Sequence, residues 1–285
     1  MFRLAFITDE VTQSFAHAVE FAKQYGLQGL ELRTVDNTPI DQISAKTLKQ
    51  WKQTLDDAGL CVPSLASSFF KCELSADCIA AEMEKLHRLC DTADILGCPF
   101  IRGFSFLARA DVPFDAAALA PYFQQAADLL QRRGKTLLLE ADPGVNTCNH
   151  ARLAQLLQQV DRPEIGAIFD PGNSLYDPLG EVPFPDAYEK ILPFAKHVHI
   201  KDAVRTSDAA ECVRVGDGQV GYRKLLCRLK ADGYSGFLSL ETHYRKHAHL
   251  NEEQLLHPGG ADFSDGGEAA SAESILALKQ LLQEV

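Results

Sequence analysis

Residues 136–140 of the chain read TLLLE, and this run decides the fold together with three later runs that resemble it. The later runs are GAIFD at 166–170, HVHIK at 197–201 and FLSLE at 237–241. Three of the four are almost entirely apolar, and each carries a carboxylate or an imidazole at or near its end. Continuous apolar runs are typical of strands buried on both faces, as a parallel sheet requires. The runs therefore predict neighbouring parallel strands whose ends carry polar side chains.

Four further runs of the same kind precede them, at residues 4–8, 29–33, 61–66 and 99–104. The stretches between the runs are longer: FAHAVEFAKQY at 15–25 has the i, i+3, i+4, i+7 spacing of an amphipathic helix, and 79–96 and 115–132 are similarly long and rich in Ala and Leu. A strand–helix unit repeated eight times predicts an α/β fold, a single (β/α)8 TIM barrel forming one domain over residues 1–285. A doubly wound open sheet is the alternative.

The connection after the last predicted strand is unusually long. Residues 246–269 (KHAHLNEEQLLHPGGADFSDGGEA) separate the eighth strand from a final helix predicted at 270–284. Connections of this length are usually lids, binding loops or disordered segments. Because this one leaves the carboxyl end of a barrel strand, it must emerge on the face where barrel active sites form. We therefore predict a lid insertion at 246–269, with an inert loop as the alternative.

Composition and charge restrict the functional classes. The 285 residues are 46% hydrophobic, enough for one large core, and the formal net charge of -11 comes without a long basic run. Proteins that neutralise phosphates normally show a basic face, so we expect no nucleic-acid partner. None of the eight cysteines forms a CxxC pair, and no apolar run approaches the roughly 18 residues of a membrane span. These features predict reduced thiols, a cytoplasmic location and no membrane partner, and they leave a homo-oligomer open.

Four predicted strands in succession carry a potential metal ligand at or near their ends: Glu140, Asp170, His199 and Glu241. Alternation along each strand turns these side chains inward, so that they converge on one mouth of the barrel. A single acid at a strand end is commonly a helix cap or a turn former. Three neighbouring carboxylates in a low-dielectric cavity, however, repel one another strongly unless a cation lies between them. The set predicts one divalent metal ion, with Mn²⁺, Mg²⁺ or Co²⁺ preferred and Zn²⁺ tolerated.

The motifs around these residues are LLLEADPG at 137–144, IFDPGN at 168–173, HVHIKD at 197–202 and LSLETHY at 238–244. Together they resemble the xylose-isomerase-like TIM-barrel superfamily, which contains sugar and sugar-phosphate isomerases and epimerases, inosose-processing enzymes and the distant endonuclease IV. The resemblance covers most of the chain and implies that its metal ligands are Glu140, Asp170, His199 and Glu241. It also implies that Glu140 and Glu241 match the two catalytic carboxylates of the ketose 3-epimerases.

The predicted function is that of a metal-dependent isomerase or epimerase, with a small sugar, sugar acid or sugar phosphate as its carbohydrate partner. A metal ion that holds the carbonyl and hydroxyl oxygens would stabilise an enediolate, while two carboxylates remove and return a proton. The alternative among enzymes is a dehydratase of a keto-polyol such as an inosose. Further alternatives are a non-catalytic binding barrel and an endonuclease IV-like phosphodiesterase. The last of these needs more histidines at strand ends that read Arg33, Ser67 and Asn173.

Residues predicted to contact the substrate are Asn173, Lys201, Arg214, His243 and Arg102. Asn173 stands where the epimerase branch commonly has a histidine, and an amide can hydrogen-bond a hydroxyl group but cannot carry a proton. Lys201 faces the mouth and is predicted to hold a substrate oxygen, with a salt bridge to Asp202 or another acid as the alternative. Arg214 resembles the family's arginine that precedes a glycine turn and contacts substrate.

Other polar residues are predicted from their direction in the barrel. His243 is either a proton relay or a loop histidine. Arg102 faces the interior or the mouth, where an unpaired cation is costly, so it should pair with a local carboxylate or with an anionic substrate. His197 faces inward at a deeper level and is predicted to be a satisfied core histidine. Glu31 and Arg33 are predicted to pair with charges on neighbouring strands.

Overall fold

The computed structural model of the chain describes residues 2–207 and 209–285. Its strands are β1 (Arg3–Phe6), β2 (Thr34–Val35), β3 (Thr38–Pro39), β4 (Ser64–Phe69), β5 (Phe100–Gly103), β6 (Thr136–Glu140), β7 (Ile165–Phe169), β8 (Ala195–Ile200), β9 (Asp202–Arg205), β10 (Ala210–Val213) and β11 (Phe237–Leu240). Among the described residues, one sheet of seven parallel strands runs in the order β1-β11-β8-β7-β6-β5-β4. The first strand therefore pairs with the last one, as in a barrel and unlike in a doubly wound open sheet. The predicted α/β TIM-barrel fold is confirmed.

Residues 29–32, within the run predicted as the second strand, span the gap between β1 and β4. They make isolated parallel bridges, Glu31 to the residue after β1 and Leu32 to β4, instead of a regular strand. A Cβ atom on Gly29 would stand 2.9 Å from the Phe237 ring, so only glycine allows this close approach. The prediction of a regular second strand is wrong, although the segment occupies the predicted place in the barrel wall.

The helices are α1 (Phe15–Gln24), α2 (Ala45–Asp57), α3 (Ala76–Leu96), α4 (Ala116–Arg133), α5 (His150–Val160), α6 (Tyr188–Ile191), α7 (Tyr222–Ala231), α8 (Glu252–Leu256), α9 (Ala261–Ser264) and α10 (Gly267–Gln283). The helices predicted at 15–25, 79–96 and 115–132 correspond to α1, α3 and α4. Asp115 caps α4 by accepting hydrogen bonds from two backbone amides of the first turn, and Gly134 ends it in the left-handed region at φ 59°. Among the described residues, no helix combines the length and the apolar character needed to cross a membrane.

Aromatic side chains fill part of the core between the sheet and the helices. The Phe70 ring stacks on Phe69 with a centroid distance of 4.0 Å and meets the edge of Phe123 at 5.6 Å. Phe106 lies 4.3 Å from Phe70, and all four rings are buried. Full burial of one such side chain stabilises the fold by roughly 1.5–3 kcal/mol. This cluster anchors the ends of β4 and β5 and thereby the loops that follow them.

The long connection at 246–269 is structured by the short helices α8 and α9, and α10 begins at Gly267, three residues earlier than predicted. Its second half is fastened to the β2–β3 hairpin. The Gly260 amide donates to Thr34 Oγ1 at 3.0 Å, and the Ala261 amide donates to Asn37 Oδ1 at 2.7 Å. The segment therefore packs against the carboxyl-terminal face of the barrel from the side of the second strand position.

Candidate active site

Four ionisable side chains meet at the carboxyl ends of adjacent barrel strands. Glu140 is the last residue of β6, Asp170 follows β7, His199 lies in β8 and Glu241 follows β11. These strands are neighbours in the sheet, and all four side chains are buried. One potential ligand atom from each residue lies within 4.8 Å of those of the others. The structure therefore brings together the four residues that the sequence predicts as metal ligands.

The donor chemistry of this group fits one divalent cation. Its atoms are three carboxylate oxygens and one imidazole nitrogen, a set that suits Mn²⁺, Mg²⁺ or Co²⁺ and tolerates Zn²⁺. Asp170 Oδ1 accepts a hydrogen bond from the Gly172 amide at 2.9 Å, whereas its buried Oδ2 accepts none from the described residues. Oδ2 lies 2.8 Å from Lys201 Nζ, which is an ion-pair contact without hydrogen-bond geometry. The four residues can therefore hold a metal ion, and Asp170 Oδ2 has lone pairs to offer it.

His199 is oriented by a carboxylate that lies behind it. Its Nδ1 lies 3.0 Å from Glu140 Oε1, and its Nε2 lies 3.4 Å from Glu31 Oε2. Burial alone would lower the pKa of His199, but Glu140 and Glu31 outweigh it and raise that pKa well above its ordinary value. The other oxygen of Glu31 lies 2.6 Å from His197 Nε2, which confirms His197 as a satisfied core histidine. Glu31 thus binds residues of β8 across the barrel, not charges of a neighbouring strand, and directs His199 Nδ1 toward the acids.

Two cations already lie among these acids. Arg102 Nη1 donates to Glu140 Oε2 at 3.1 Å and to Glu241 Oε1 at 2.9 Å, as expected for an inward arginine that pairs with local carboxylates. Lys201 Nζ donates to Glu241 Oε2 at 3.1 Å. The alternative predicted for Lys201, a salt bridge to Asp202 or another acid, is met by Glu241 and Asp170. Asp202 itself instead accepts backbone amides of the turn before α7. Side chains therefore relieve part of the repulsion that sequence reasoning assigned to a metal ion alone.

A third cation reaches Glu241 from the second strand position. Arg33 Nη1 donates to Glu241 Oε1 at 3.0 Å, and its other nitrogens bind Asp9 and Glu10, which follow β1. The predicted pairing of Arg33 with charges of a neighbouring strand is thus confirmed. Glu10 Oε1 also lies 2.7 Å from His243 Nδ1. Sequence reasoning missed Asp9 and Glu10 as site residues, although their position after a strand end was the signal that could have found them.

The cations set the charge states of the acids. Burial raises the pKa of Glu241, but Lys201 and Arg102 overcome this effect and hold the pKa well below its ordinary value. Burial and the neighbouring Glu241 charge raise the pKa of Glu140, and its cationic neighbours outweigh both, so that this pKa is lowered as well. Burial raises the pKa of Asp170, and the Lys201 charge does not fully offset it. Glu140 and Glu241 are therefore carboxylates near neutral pH, available as ligands or as bases.

A cavity of about 430 Å³ opens beside this group, a volume within the range of small-molecule sites. Glu140, Glu241, Arg102 and Lys201 line it, so that both carboxylates predicted to be catalytic face the same space. Its apolar lining was not predicted from the sequence, and it includes Phe104, Tyr176, Leu255, Leu256 and Pro258. The last three belong to the segment 246–269. The cavity thus combines a charged wall at the strand ends with an apolar wall contributed in part by the long connection.

Most of the residues predicted to contact substrate line this cavity, namely Asn173, Lys201, His243 and Arg102. Arg214 is not among the described residues that line it. Its guanidinium binds Asp217 at 2.8 and 2.9 Å near the surface, and its side chain is 40% exposed. Asn173 Nδ2 donates to the Ala141 carbonyl at 2.8 Å, which holds the amide at the cavity wall. The structure therefore groups four of these residues and leaves Arg214 in a local ion pair.

The family described as "Xylose isomerase-like TIM barrel" matches residues 19–280 of the chain. No curated protein matches the sequence. Solved structures do share the fold. The D-allulose 3-epimerase from Methylomonas sp., in complex with D-allulose, is 19% identical, with 98% of this chain and 96% of that chain covered and a TM-score of 0.72.

Two further structures are as similar. The probable 3-DHS dehydratase AsbF from Bacillus anthracis is 20% identical, with 97% of this chain and 98% of that chain covered and a TM-score of 0.74. The IOLI protein with a binding zinc atom is 15% identical, with 99% and 98% covered and a TM-score of 0.75. At these identities the structural similarity shows the fold. The match over residues 19–280, together with this fold, shows that the chain belongs to the xylose isomerase-like TIM barrel family.

Proposed function

We propose that the chain is a divalent-metal-dependent isomerase or epimerase of a small carbohydrate, which is a sugar, a sugar acid or a sugar phosphate. The observation that carries this proposal is the burial of four convergent side chains that could hold a metal ion, beside a cavity of about 430 Å³. Glu140 and Glu241 line that cavity. Among proteins that share the fold, the D-allulose 3-epimerase is described with D-allulose and the IOLI protein with zinc. These precedents favour carbohydrate chemistry at a metal centre.

The side chains around the cavity can divide the proton transfer between them. A bound divalent ion supplies Lewis acidity at a carbonyl oxygen, which acidifies the neighbouring C–H group. Glu140 is the base in this proposal, because three cations donate to Glu241 and two of them, Lys201 and Arg102, hold its pKa well below its ordinary value. Arg102 binds both carboxylates and fixes their relative position. Return of the proton to the opposite face of the same carbon gives epimerisation, and return to the next carbon gives isomerisation.

We also propose that residues 246–269 act as a lid within a single-domain barrel. Leu255, Leu256 and Pro258 contribute apolar surface to the cavity. A Cβ atom on Gly144 would stand 2.9 Å from Leu256 Cδ1, so the segment packs directly on the loop that follows β6. Apolar cover of this kind excludes water and strengthens the electrostatic interactions inside the site. The lid would therefore favour proton transfer between the carboxylates and substrate over exchange with solvent.

A dehydratase of a keto-polyol is the second candidate, and the position of Lys201 favours it. The Lys201 ammonium lines the cavity and donates to Glu241. In a dehydration, Glu140 would take the proton from the carbon beside the carbonyl, and Lys201 would give a proton to the departing hydroxyl group, which leaves as water. The probable 3-DHS dehydratase AsbF shares the fold. A net loss of water from the substrate separates this reaction from isomerisation and epimerisation.

Solvent-deuterium exchange tests the proposal. Protein supplemented with Mn²⁺ or Zn²⁺ is incubated in D₂O with a panel of ketoses, and the products are analysed by mass spectrometry. We expect the wild-type protein to bind about one ion and to introduce deuterium into at least one ketose. Glu140→Gln and Glu241→Gln should each lower the exchange rate by about 10²–10⁴-fold, because an amide cannot accept the proton. A product lighter by one water would identify the dehydratase.

Lys52→Met is the matched control, because it removes a charged side chain that is ion-paired with Asp56 within α2, outside the cavity. Its exchange rate should equal that of the wild-type protein. The proposal is contradicted if the wild-type protein takes up neither Mn²⁺ nor Zn²⁺. It is equally contradicted if exchange survives in both glutamine variants.

A further inference from the structure

A second cavity of about 180 Å³, which we call the side cavity, adjoins the larger one. The two share the lining residues Lys71, Arg102, Phe104, Leu256 and Pro258. Arg102 also donates to Glu140 and Glu241. A single small molecule can therefore reach from the metal-ligating acids into the side cavity. In volume the side cavity corresponds to about six water molecules of liquid, enough for one compact polar group.

Cations dominate the charged lining of the side cavity. Arg33, Lys71 and Arg102 line it. Asp41 lines it as well, but the carboxylate of Asp41 is bound by Arg88 at 2.9 Å. A small space with this lining favours a negatively charged group over a neutral one. The acids that bind Arg33 and Arg102 are not among the described residues that line the side cavity, and they are Asp9, Glu10, Glu140 and Glu241.

Lys71 is a cation of this lining whose N–H groups are not all hydrogen-bonded within the described part of the chain. Its side chain is only 4% exposed, and its Nζ donates to Asp142 Oδ2 at 2.8 Å and lies 4.7 Å from the centre of the Phe104 ring. Within the described part of the chain, Nζ makes no further hydrogen bond. An ammonium has three N–H groups, and buried polar groups are normally hydrogen-bonded. Two N–H groups of Lys71 therefore remain for a ligand at the boundary of the two cavities.

The neighbouring groups hold Lys71 in place without satisfying it. Asp142 Oδ1 accepts the Gly144 amide at 2.8 Å, so the carboxylate is fixed by its own turn and presents only Oδ2 to the lysine. The Arg102 guanidinium, by contrast, donates hydrogen bonds to two carboxylates and to the backbone carbonyls of Ala66 and Ser67. Lys71 is thus the positioned, incompletely bonded charge of this region.

We propose that the side cavity binds a compact anionic group of the substrate, a carboxylate or a phosphate, with the Lys71 ammonium as its main contact. The inference rests on the proposed function, since the anion belongs to the molecule that is bound at the metal-ligating acids. It narrows the substrate class to sugar acids and sugar phosphates and excludes neutral sugars as the preferred ligands.

The test compares three ligands that differ only at the sixth carbon: D-fructose, D-fructose 6-phosphate and D-fructuronate. Their dissociation constants are measured by calorimetry with the metal-loaded, full-length protein. We expect at least one anion to bind about tenfold to a hundredfold more tightly than D-fructose. Lys71→Met should remove this preference and leave the affinity for D-fructose unchanged. Whichever anion loses affinity in the variant identifies a carboxylate or a phosphate as the preferred group.

A second variant should change the affinity for the anion in the opposite direction. Asp142→Asn keeps an oxygen for the Gly144 amide but removes the charge that neutralises Lys71, so it should tighten the binding of the same anion. If the Lys71–Asp142 pair served the fold alone, both variants would weaken all ligands alike. Lys52→Met is the matched control, because Lys52 is ion-paired with Asp56 within α2 and should leave all three affinities unchanged.

Equal affinities for the three ligands, absence of binding by both anions, or an unchanged preference in Lys71→Met would overturn the anion site. Failure of the proposed function has a different signature. In that case the anion preference persists, and Glu140→Gln exchanges deuterium as fast as the wild-type protein or no exchange occurs at all. Binding by calorimetry does not require turnover, so each idea can fail without the other.

Discussion

Metal loading should release one proton from His199, and this release can be counted. Both ring nitrogens of His199 face carboxylates, Nδ1 toward Glu140 at 3.0 Å and Nε2 toward Glu31 at 3.4 Å. Both nitrogens are therefore protonated, consistent with a pKa raised well above that of an ordinary histidine. If His199 is a metal ligand, Nδ1, which faces the other predicted ligands, would lose its proton, whereas Nε2 would keep its proton toward Glu31.

The magnitude follows from this stoichiometry. Below the pKa of His199, one proton leaves for each ion bound, so every unit of pH raises the apparent association constant about tenfold, or about 1.4 kcal/mol. With an ordinary histidine the increase would level off above pH 6.5 or so. Because Glu140 and Glu31 raise the pKa, the increase should continue through neutral pH. Stability has the opposite dependence: the His199 contribution to folding is complete below the unfolded-state pKa and is lost as pH rises through the raised one.

Calorimetry of Mn²⁺ binding at pH 7, in two buffers of different ionisation enthalpy, gives the number of protons released. We expect about one for the wild-type protein. Glu31→Gln keeps an oxygen for Nε2 but removes the charge, so the pKa of His199 should fall and fewer protons should be released. Glu211→Gln is the matched control, since Glu211 pairs with the exposed His249 at 2.9 Å and should change nothing. Release of no protons by the wild-type protein, or the same release in Glu31→Gln, would refute the reasoning.

Two further substitutions test the buried charges. Arg102→Met should lower the free energy of unfolding of the metal-free protein by about 3–5 kcal/mol, because two buried carboxylates lose their arginine partner. The loss should be smaller with metal bound. Equal urea midpoints for the metal-free variant and wild type would contradict this prediction. Burial raises the pKa of Glu181, but hydrogen bonds from His150 outweigh this effect and lower the pKa to about 2. The lowered pKa corresponds to roughly 3 kcal/mol of folding stability, which is present above pH 4.5 and is lost as the pH falls toward 2. Glu181→Gln should flatten the pH dependence of the urea midpoint in that window, unlike the exposed control Glu189→Gln, and an unchanged slope would exclude this role.

The barrel was predictable because its strands carry a signal that does not depend on distant contacts. The runs that became β6, β7 and β11 are short and apolar, and together with the run of β8 they recur at about one strand–helix repeat each. A parallel barrel buries such runs on both faces. The sequence could not predict that the second strand position, residues 29–32, makes only isolated bridges. The apolar character of a segment does not show whether its backbone hydrogen bonds to the neighbouring strands are continuous. The β9–β10 hairpin escaped prediction for another reason: residues 202–213 have neither a continuous apolar run nor a two-residue Gly turn.

The four convergent residues of the candidate site were predicted, whereas Asp9 and Glu10 were missed and the cations were predicted only in part. Strand ends at equivalent positions converge in any barrel, so the four metal-ligating residues could be grouped from spacing alone. Which cation meets which acid depends on contacts across the barrel, such as Arg33 with Glu241 and Arg102 with Glu241, which are 208 and 139 residues apart in the chain. Lys71 gave no signal at all, because it lies in a loop and its role follows only from its burial against Phe104 and Asp142.

The cations at the mouth relieve the repulsion among the buried acids without a metal ion, and they would also limit the affinity of the proposed site for one. Lys201 contacts Asp170 Oδ2 and Glu241 Oε2, and these are oxygens that an ion would need. Asp170 would therefore have to give up its contact with the Lys201 ammonium to bind an ion. The net binding energy would be the difference between the new electrostatic contact and the one that is lost. A structural metal site has no such competitor, and its fold depends on the ion. A resident lysine is consistent with a catalytic centre, where the displaced ammonium stays in the cavity next to the substrate and remains able to donate a proton.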